Sequence, residues 1–266
     1  MKKSIFIIVI IGIVAVFLFL NPNIFSIINK TNQKEINLQG FHYSPTPVPT
    51  TLPILSSSPI SYSKTPLPRP QSNIFFFDVP FISQAPLAEW SNPIFQNACE
   101  ETTLIMAQKW VENKTAPIDR NQARQEIIDI SNYENEHYGT FSDLSVFDAV
   151  KLMKDYYNNI NTEVKENITA DDILNELEDG YIVIVPVDGR LLGNPNYTQP
   201  GPPEHMLLIK GYDYNTDEFI TNDTGTRKGE SYRYPKMILE NAIREYPTGN
   251  HEPIPQIVKA MIVISR

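Results

Sequence analysis

One thiol, four imidazoles and a few well-spaced carboxylates set the chemistry open to this sequence. Cys99 is the only cysteine in 266 residues, so it cannot form a disulfide within its own chain. It is either a small buried apolar residue or a reactive group. The stretch Asn97-Ala98-Cys99-Glu100 favours reactivity. Asn97 reads as an N-cap, Glu100 three residues later can close a capping box, and Cys99 then sits in a first helical turn. There the positive end of the helix dipole stabilises a thiolate. Leu104, Ala107 and Val111 follow at spacings of three and four, an apolar stripe that would anchor the helix.

A thiolate nucleophile needs a base within hydrogen-bond reach and a third group to orient that base. His42 lies in a proline-rich segment, and His137 and His251 sit in polar stretches that read as loops. His205 opens an apolar run directly after Gln199-Pro200-Gly201-Pro202-Pro203-Glu204, and a strand end beside a loop can face a cleft. If Asp213 to Thr216 is a hairpin turn, residue numbers facing each other should sum to about 428 to 430. The lower end of that range puts Asp223 opposite His205 on one face, whereas a one-residue slip would bring Asn222 alongside instead. Either residue can orient an imidazole, and the carboxylate also stabilises its charged form. The expectation is a Cys99 sulfur within about 4 Å of one His205 nitrogen, with Asp223 at the other.

Helical patterns that would position these groups begin with the Cys99 helix and continue at Asp119 to Ile130 and Ser142 to Tyr156. Thr169-Ala170-Asp171-Asp172 caps a short helix stopped by Gly180. Strands are expected at Tyr181 to Val187, His205 to Tyr212, Glu218 to Asn222, Ser231 to Tyr234 and Ile257 to Ile264, with a helix at Lys236 to Tyr246. A helix-rich front half and a sheet-rich back half make an α+β arrangement. No phosphate-binding glycine loop and no metal-ligand spacing occurs, so no cofactor is called for.

The folded domain is expected at 74–266. Before it, residues 1–30 hold Lys2, Lys3 and an apolar run from Ile5 to Leu20. That run is slightly shorter than the ~20 residues that span a bilayer comfortably. A cleaved signal peptide is the competing reading, but no small-residue cleavage site follows Leu20, which favours an uncleaved anchor. The lysines would keep the amino terminus in the cytoplasm and place the rest of the chain outside, in contact with the membrane only through its N-terminal helix. Residues 31–73 are rich in Pro, Ser and Thr and read as a disordered linker that could extend up to ~130 Å.

The first 73 residues carry Lys2, Lys3, Lys30, Lys34, Lys64 and Arg69 against Glu35 alone. Because the whole chain has 22 basic and 31 acidic residues, the domain keeps a net charge of about −14. That argues against nucleic acid or an anionic lipid surface as a partner of the domain and leaves cationic or neutral substrates open.

Asp78-Val79-Pro80-Phe81-Ile82-Ser83-Gln84, Ala98-Cys99 opening a helix, His205-Met206-Leu207-Leu208-Ile209-Lys210-Gly211-Tyr212-Asp213 and Asn222-Asp223-Thr224-Gly225-Thr226 together resemble the C39-like cysteine peptidases of the papain-like superfamily. The resemblance implies a papain-like fold, N-terminal helices packed on a mostly antiparallel sheet, in a monomeric domain acting on a peptide or protein substrate. It implies Cys99 as nucleophile, His205 as base, Asp223 as orienting group and Gln84 as an oxyanion-hole donor. Many members follow the cysteine with Gly-Pro, whereas this chain has Glu100 and Glu101, whose charges oppose a thiolate unless they face solvent. Gln84 lies 15 residues before Cys99, which makes Gln96 the alternative donor. Hydrolysis of a peptide or isopeptide bond is the leading expectation. A transamidase using the same acyl-enzyme and an inactive stalked binding module are its alternatives.

Overall fold

The computed structural model describes residues 73–249 and 257–266. The chain divides between Lys64 and Thr65, and every described residue belongs to the second unit. The anchor expected at 1–30, the linker up to residue 72, His42 and His251 lie outside the described residues. Among the described residues no helix is long and apolar enough to cross a membrane.

In chain order the elements are β1 (Ile74–Phe76), α1 (Pro93–Gln96), α2 (Cys99–Val111), α3 (Arg120–His137), α4 (Val146–Tyr157), β2 (Thr162–Glu166), α5 (Ala170–Glu178), β3 (Ile182–Val187), α6 (Gly189–Leu192), β4 (His205–Asp213), β5 (Glu218–Asp223), β6 (Tyr232–Pro235), α7 (Lys236–Ala242) and β7 (Ala260–Ile264). The strands form one antiparallel sheet in the order β2-β7-β3-β4-β5-β6, and β1 pairs with the far end of β4. The α+β arrangement holds, with the first helices ahead of most of the sheet.

Helices cover both faces of the sheet, and this explains why β3 and β4 read as continuous apolar runs rather than alternating ones. Ile182, Ile184, Met206 and Leu208 join the core built with α2, α3 and α4. Val183, Val185, Leu207 and Ile209 join a second core with α5 and α7. α2 lies between β4 on one side and α3 and α4 on the other. Its residues from Cys99 to Gln108 are therefore all buried, a wider burial than the Leu104, Ala107, Val111 stripe predicts.

Among the departures from the sequence pattern, two helix boundaries and one unexpected strand have local reasons. α3 runs on to His137, whose ring stacks on Tyr133 at 3.9 Å, so this histidine ends a helix instead of lying in a loop. α4 starts only after Ser145, whose hydroxyl accepts from the Asp148 N–H. The edge strand β2 carries one apolar residue, Val164, among Thr, Glu and Lys, too little alternation for a strand signal. α5 has the expected cap: Thr169 and Asp172 close a reciprocal capping box, and Gly180 follows the helix at φ +97°.

Candidate active site

The turn before Cys99 is built by α1. Asn92 caps that helix by accepting from the Ile94 N–H, and Pro93 occupies its first turn, where a missing N–H costs nothing. Asn97 closes the same helix, its amide donating to the Pro93 carbonyl at 2.9 Å. Asn97 is therefore not the N-cap of α2. That position belongs to Ala98, which offers no side-chain acceptor. The expected capping box is absent because a second short helix uses the asparagine and because the Glu100 carboxylate is engaged elsewhere.

Glu100 and Glu101 do not face solvent: they are 0% and 1% exposed. The Cys99 thiol donates to Glu100 Oε2 at 2.9 Å, and the Tyr246 hydroxyl donates to Glu100 Oε1 at 2.6 Å. Burial pushes the Glu100 carboxyl up from its ordinary range, against the lowering effect of these donors. Burial, then the charge and hydrogen bond of Glu100, raise the Cys99 thiol well above its usual value. The thiol's one proton is thus donated to its neighbouring glutamate and not to His205.

His205 is brought to the same end of α2 by packing of that helix on β4, where the Thr103 hydroxyl reaches the Met206 carbonyl at 3.4 Å. The imidazole is 1% exposed, and its Nε2 lies 2.9 Å from Asp223 Oδ1. The hairpin register differs from direct opposition of these two residues. Asp223 pairs with Leu207 and Asn222 with Leu208, and an irregularity between Ile209 and Gly211 shifts the pairs nearer the turn. The offset is still even, so Asp223 shares the His205 face and reaches it diagonally. Asn222 points the other way, donating to the carbonyls of Val79 and Pro80.

Asp223 is 0% exposed and accepts from four further donors. Tyr197 and Tyr234 hydroxyls each lie 2.6 Å from Oδ2, the Asn194 amide lies 3.0 Å from it, and the Gly225 N–H lies 3.0 Å from Oδ1. Burial pushes this carboxyl up, but the His205 bond and charge and the two tyrosine hydroxyls outweigh it and hold the group below its ordinary value. A charged Asp223 with Nε2 engaged leaves Nδ1 of His205 as the nitrogen that can exchange a proton. Gly225 packs on the ring: a Cβ there would lie 3.0 Å from His205 Cε1.

Gln84 ties these pieces together. Its N–H donates to the Thr224 carbonyl, and its side-chain amide donates to the carbonyls of Phe95 and Gln96 at 3.0 and 3.2 Å. It therefore braces the turn before Cys99 against the residue after Asp223. The Gln96 side chain is exposed. Among the described residues no group of three or more His, Cys, Asp or Glu is gathered as a metal site.

Residues 76–251 match the family model described as the Peptidase_C39 like family, a span that contains Gln84, Cys99, His205 and Asp223. The chain belongs to the C39-like peptidase family. A crystal structure described as that of a C39-like peptidase from Bacillus anthracis is similar at 15% identity and a TM-score of 0.47, covering 73% of this chain and 98% of that one. No curated protein matches. In this member of the family the groups that sequence reasoning missed are Tyr197, Tyr234 and Asn194 around Asp223, and Tyr246 behind Glu100. Tyr197 and Asn194 come from the loop before His205, where Asn-Pro-Asn-Tyr gives no periodic signal. A hint was available only for Tyr234, which lies on the strand paired with β5.

Proposed function

We propose that this chain is a membrane-anchored, extracytoplasmic cysteine peptidase of papain-like fold, hydrolysing a peptide or isopeptide bond through Cys99, His205 and Asp223. The observation that carries this reading is the buried His205–Asp223 pair at the start of β4, the strand against which the Cys99 helix packs. Membership of the C39-like peptidase family supports it.

In the proposed reaction the Cys99 proton passes to His205 Nδ1 while the sulfur attacks the substrate carbonyl. The imidazolium, stabilised by Asp223, then protonates the leaving amine, and a thioester remains on Cys99. A water, deprotonated by His205, attacks that thioester and returns the thiol. Negative charge on the carbonyl oxygen is met by the backbone N–H of Cys99, which at the start of α2 has no carbonyl one turn back within its own helix. Gln84 can add a second donor only by releasing the carbonyl of Phe95 or Gln96. In its present arrangement it fixes the turn on which Cys99 sits.

A second reading, an inactive stalked binding module, is favoured by one observation: the thiol is held by Glu100 with its pKa raised. Peptide-library cleavage by the full-length protein in detergent separates the two. The enzyme reading expects cleavage that Cys99→Ala and His205→Ala each abolish while circular dichroism stays unchanged. Absence of cleavage, together with no covalent trapping of Cys99 by an electrophilic peptide, leaves the binding module.

A further inference from the structure

A carboxylate is an expensive group to bury beside a nucleophile, since both its desolvation and its charge work against a thiolate. Glu100 is nonetheless 0% exposed, and each of its oxygens has one donor: the Tyr246 hydroxyl on Oε1 and the Cys99 thiol on Oε2. Tyr246 is itself 1% exposed and reaches Glu100 from the segment after α7, far away in sequence. The fold therefore fixes the Glu100 carboxylate from one side and leaves its other oxygen for the thiol.

We propose that Glu100 is a latch on the nucleophile, its carboxylate holding the Cys99 proton in the resting protein so that the sulfur reacts only after turning from Glu100 to His205. This deepens the peptidase reading and rests on it. The turn is a rotation about the Cα–Cβ bond of Cys99. It breaks the hydrogen bond to Glu100 Oε2 and lets the same proton pass from Sγ to His205 Nδ1, with no other bond changed. Until then the protein carries an uncharged thiol, where an ion pair of thiolate and imidazolium would set two negative groups side by side.

The charges facing this pair act in known directions. Asp143, from the segment before α4, and Glu101, the next residue of α2, oppose a thiolate as Glu100 does. His205 on β4 favours the charged form of Glu100. The Tyr246 hydroxyl favours it too, as a donor. Neutralising Glu100 alone removes the nearest of the opposing charges and leaves the others in place.

The test is the rate at which iodoacetamide alkylates Cys99 in the full-length protein across pH 5 to 9, in wild type, Glu100→Gln, His205→Ala and the double variant. Glu100→Gln keeps an acceptor for Tyr246 and should alkylate at least about tenfold faster at pH 7, its half-maximal rate moving at least about one pH unit lower. An unchanged or slower rate overturns the latch. His205→Ala should slow the unlatched thiol. If it does not, while Glu100→Gln is still faster than wild type, the latch stands and the Cys99–His205 reading of the function falls. Should Glu100→Gln fail to fold by circular dichroism, the wild type decides alone. The absorbance difference at 240 nm between wild type and Cys99→Ala should contain no thiolate signal at pH 7, and a signal there overturns the proposal.

Discussion

Asp223 accepts five hydrogen bonds, from His205, Gly225, Asn194, Tyr197 and Tyr234, and this saturation decides how it responds to substitution. Asparagine can keep an oxygen toward His205, but its NH2 then meets the three donors that Oδ2 had accepted. The two hydroxyls can turn to accept. The Asn194 amide is less free, because its oxygen already takes two donors from Asn196. Charge stabilisation of the imidazolium is lost in any case. We expect Asp223→Asn to lower kcat/KM by roughly 10²- to 10⁴-fold with a modest loss of stability. Asp223→Ala should lose at least as much activity and also destabilise the fold by about 1–3 kcal/mol for each donor left orphaned in the interior. Steady-state kinetics with thermal melts on both variants checks this, and equal melting temperatures for Asn and Ala would contradict the donor count. The sequence made Asp223 a candidate through strand parity. It could not reveal the three donors on Oδ2, since Tyr197 and Asn194 come from an aperiodic loop.

At the scale of elements, parity proved a sturdier guide than register. The irregularity near Lys210 moves every β4–β5 pair close to the turn, yet His205 and Asp223 stay on one face because the offset between them remains even. The helix carrying Cys99 was legible as a helix, but its depth was not. Apolar spacing predicts one buried stripe, whereas α3 and α4 close over the outer side and bury the acids too. That enclosure has a pH signature. Glu101 on α2 and Glu134 on α3 bury their carboxyls against each other with no donor from another side chain, so two adjacent charges are avoided only if the pair holds a proton. Burial pushes Glu134 up to about 8 from 4.5, and burial followed by the Glu134 charge pushes Glu101 well up. A carboxyl with a raised folded pKa binds more protons folded than unfolded. Its stabilising contribution is full below about pH 4.5, declines as pH rises and is gone above about pH 8. Glu134→Gln should therefore melt closer to wild type at pH 5 and above it at pH 8.5, a relative gain of about 1–2 kcal/mol or roughly 2–8 °C. A wild-type minus variant difference that is flat across this range would mean that the pair carries no shared proton.

The whole molecule combines an acidic domain with a segment of opposite character. Residues 1–73 hold six basic residues and one acid, while the rest of the chain is strongly acidic. Proteins with such a domain are repelled by anionic lipid headgroups unless something ties them down. The apolar run from Ile5 to Leu20 is the candidate tie, and Lys2 and Lys3 before it favour an amino terminus in the cytoplasm. With that run as the anchor, the Pro-rich composition between Pro45 and Pro70 would make the intervening stretch a spacer open to a protease. A thiol reagent is a poor reporter of this topology, because Cys99 is 4% exposed and its proton is held by Glu100. A protease added to intact cells is a better one. We expect it to cut within residues 31–73 and release a soluble fragment that retains Cys99, detected by mass spectrometry of the supernatant. Cutting that occurs only after lysis would place the domain in the cytoplasm. Release without protease, with an amino terminus beyond residue 20, would identify the run as a cleaved signal.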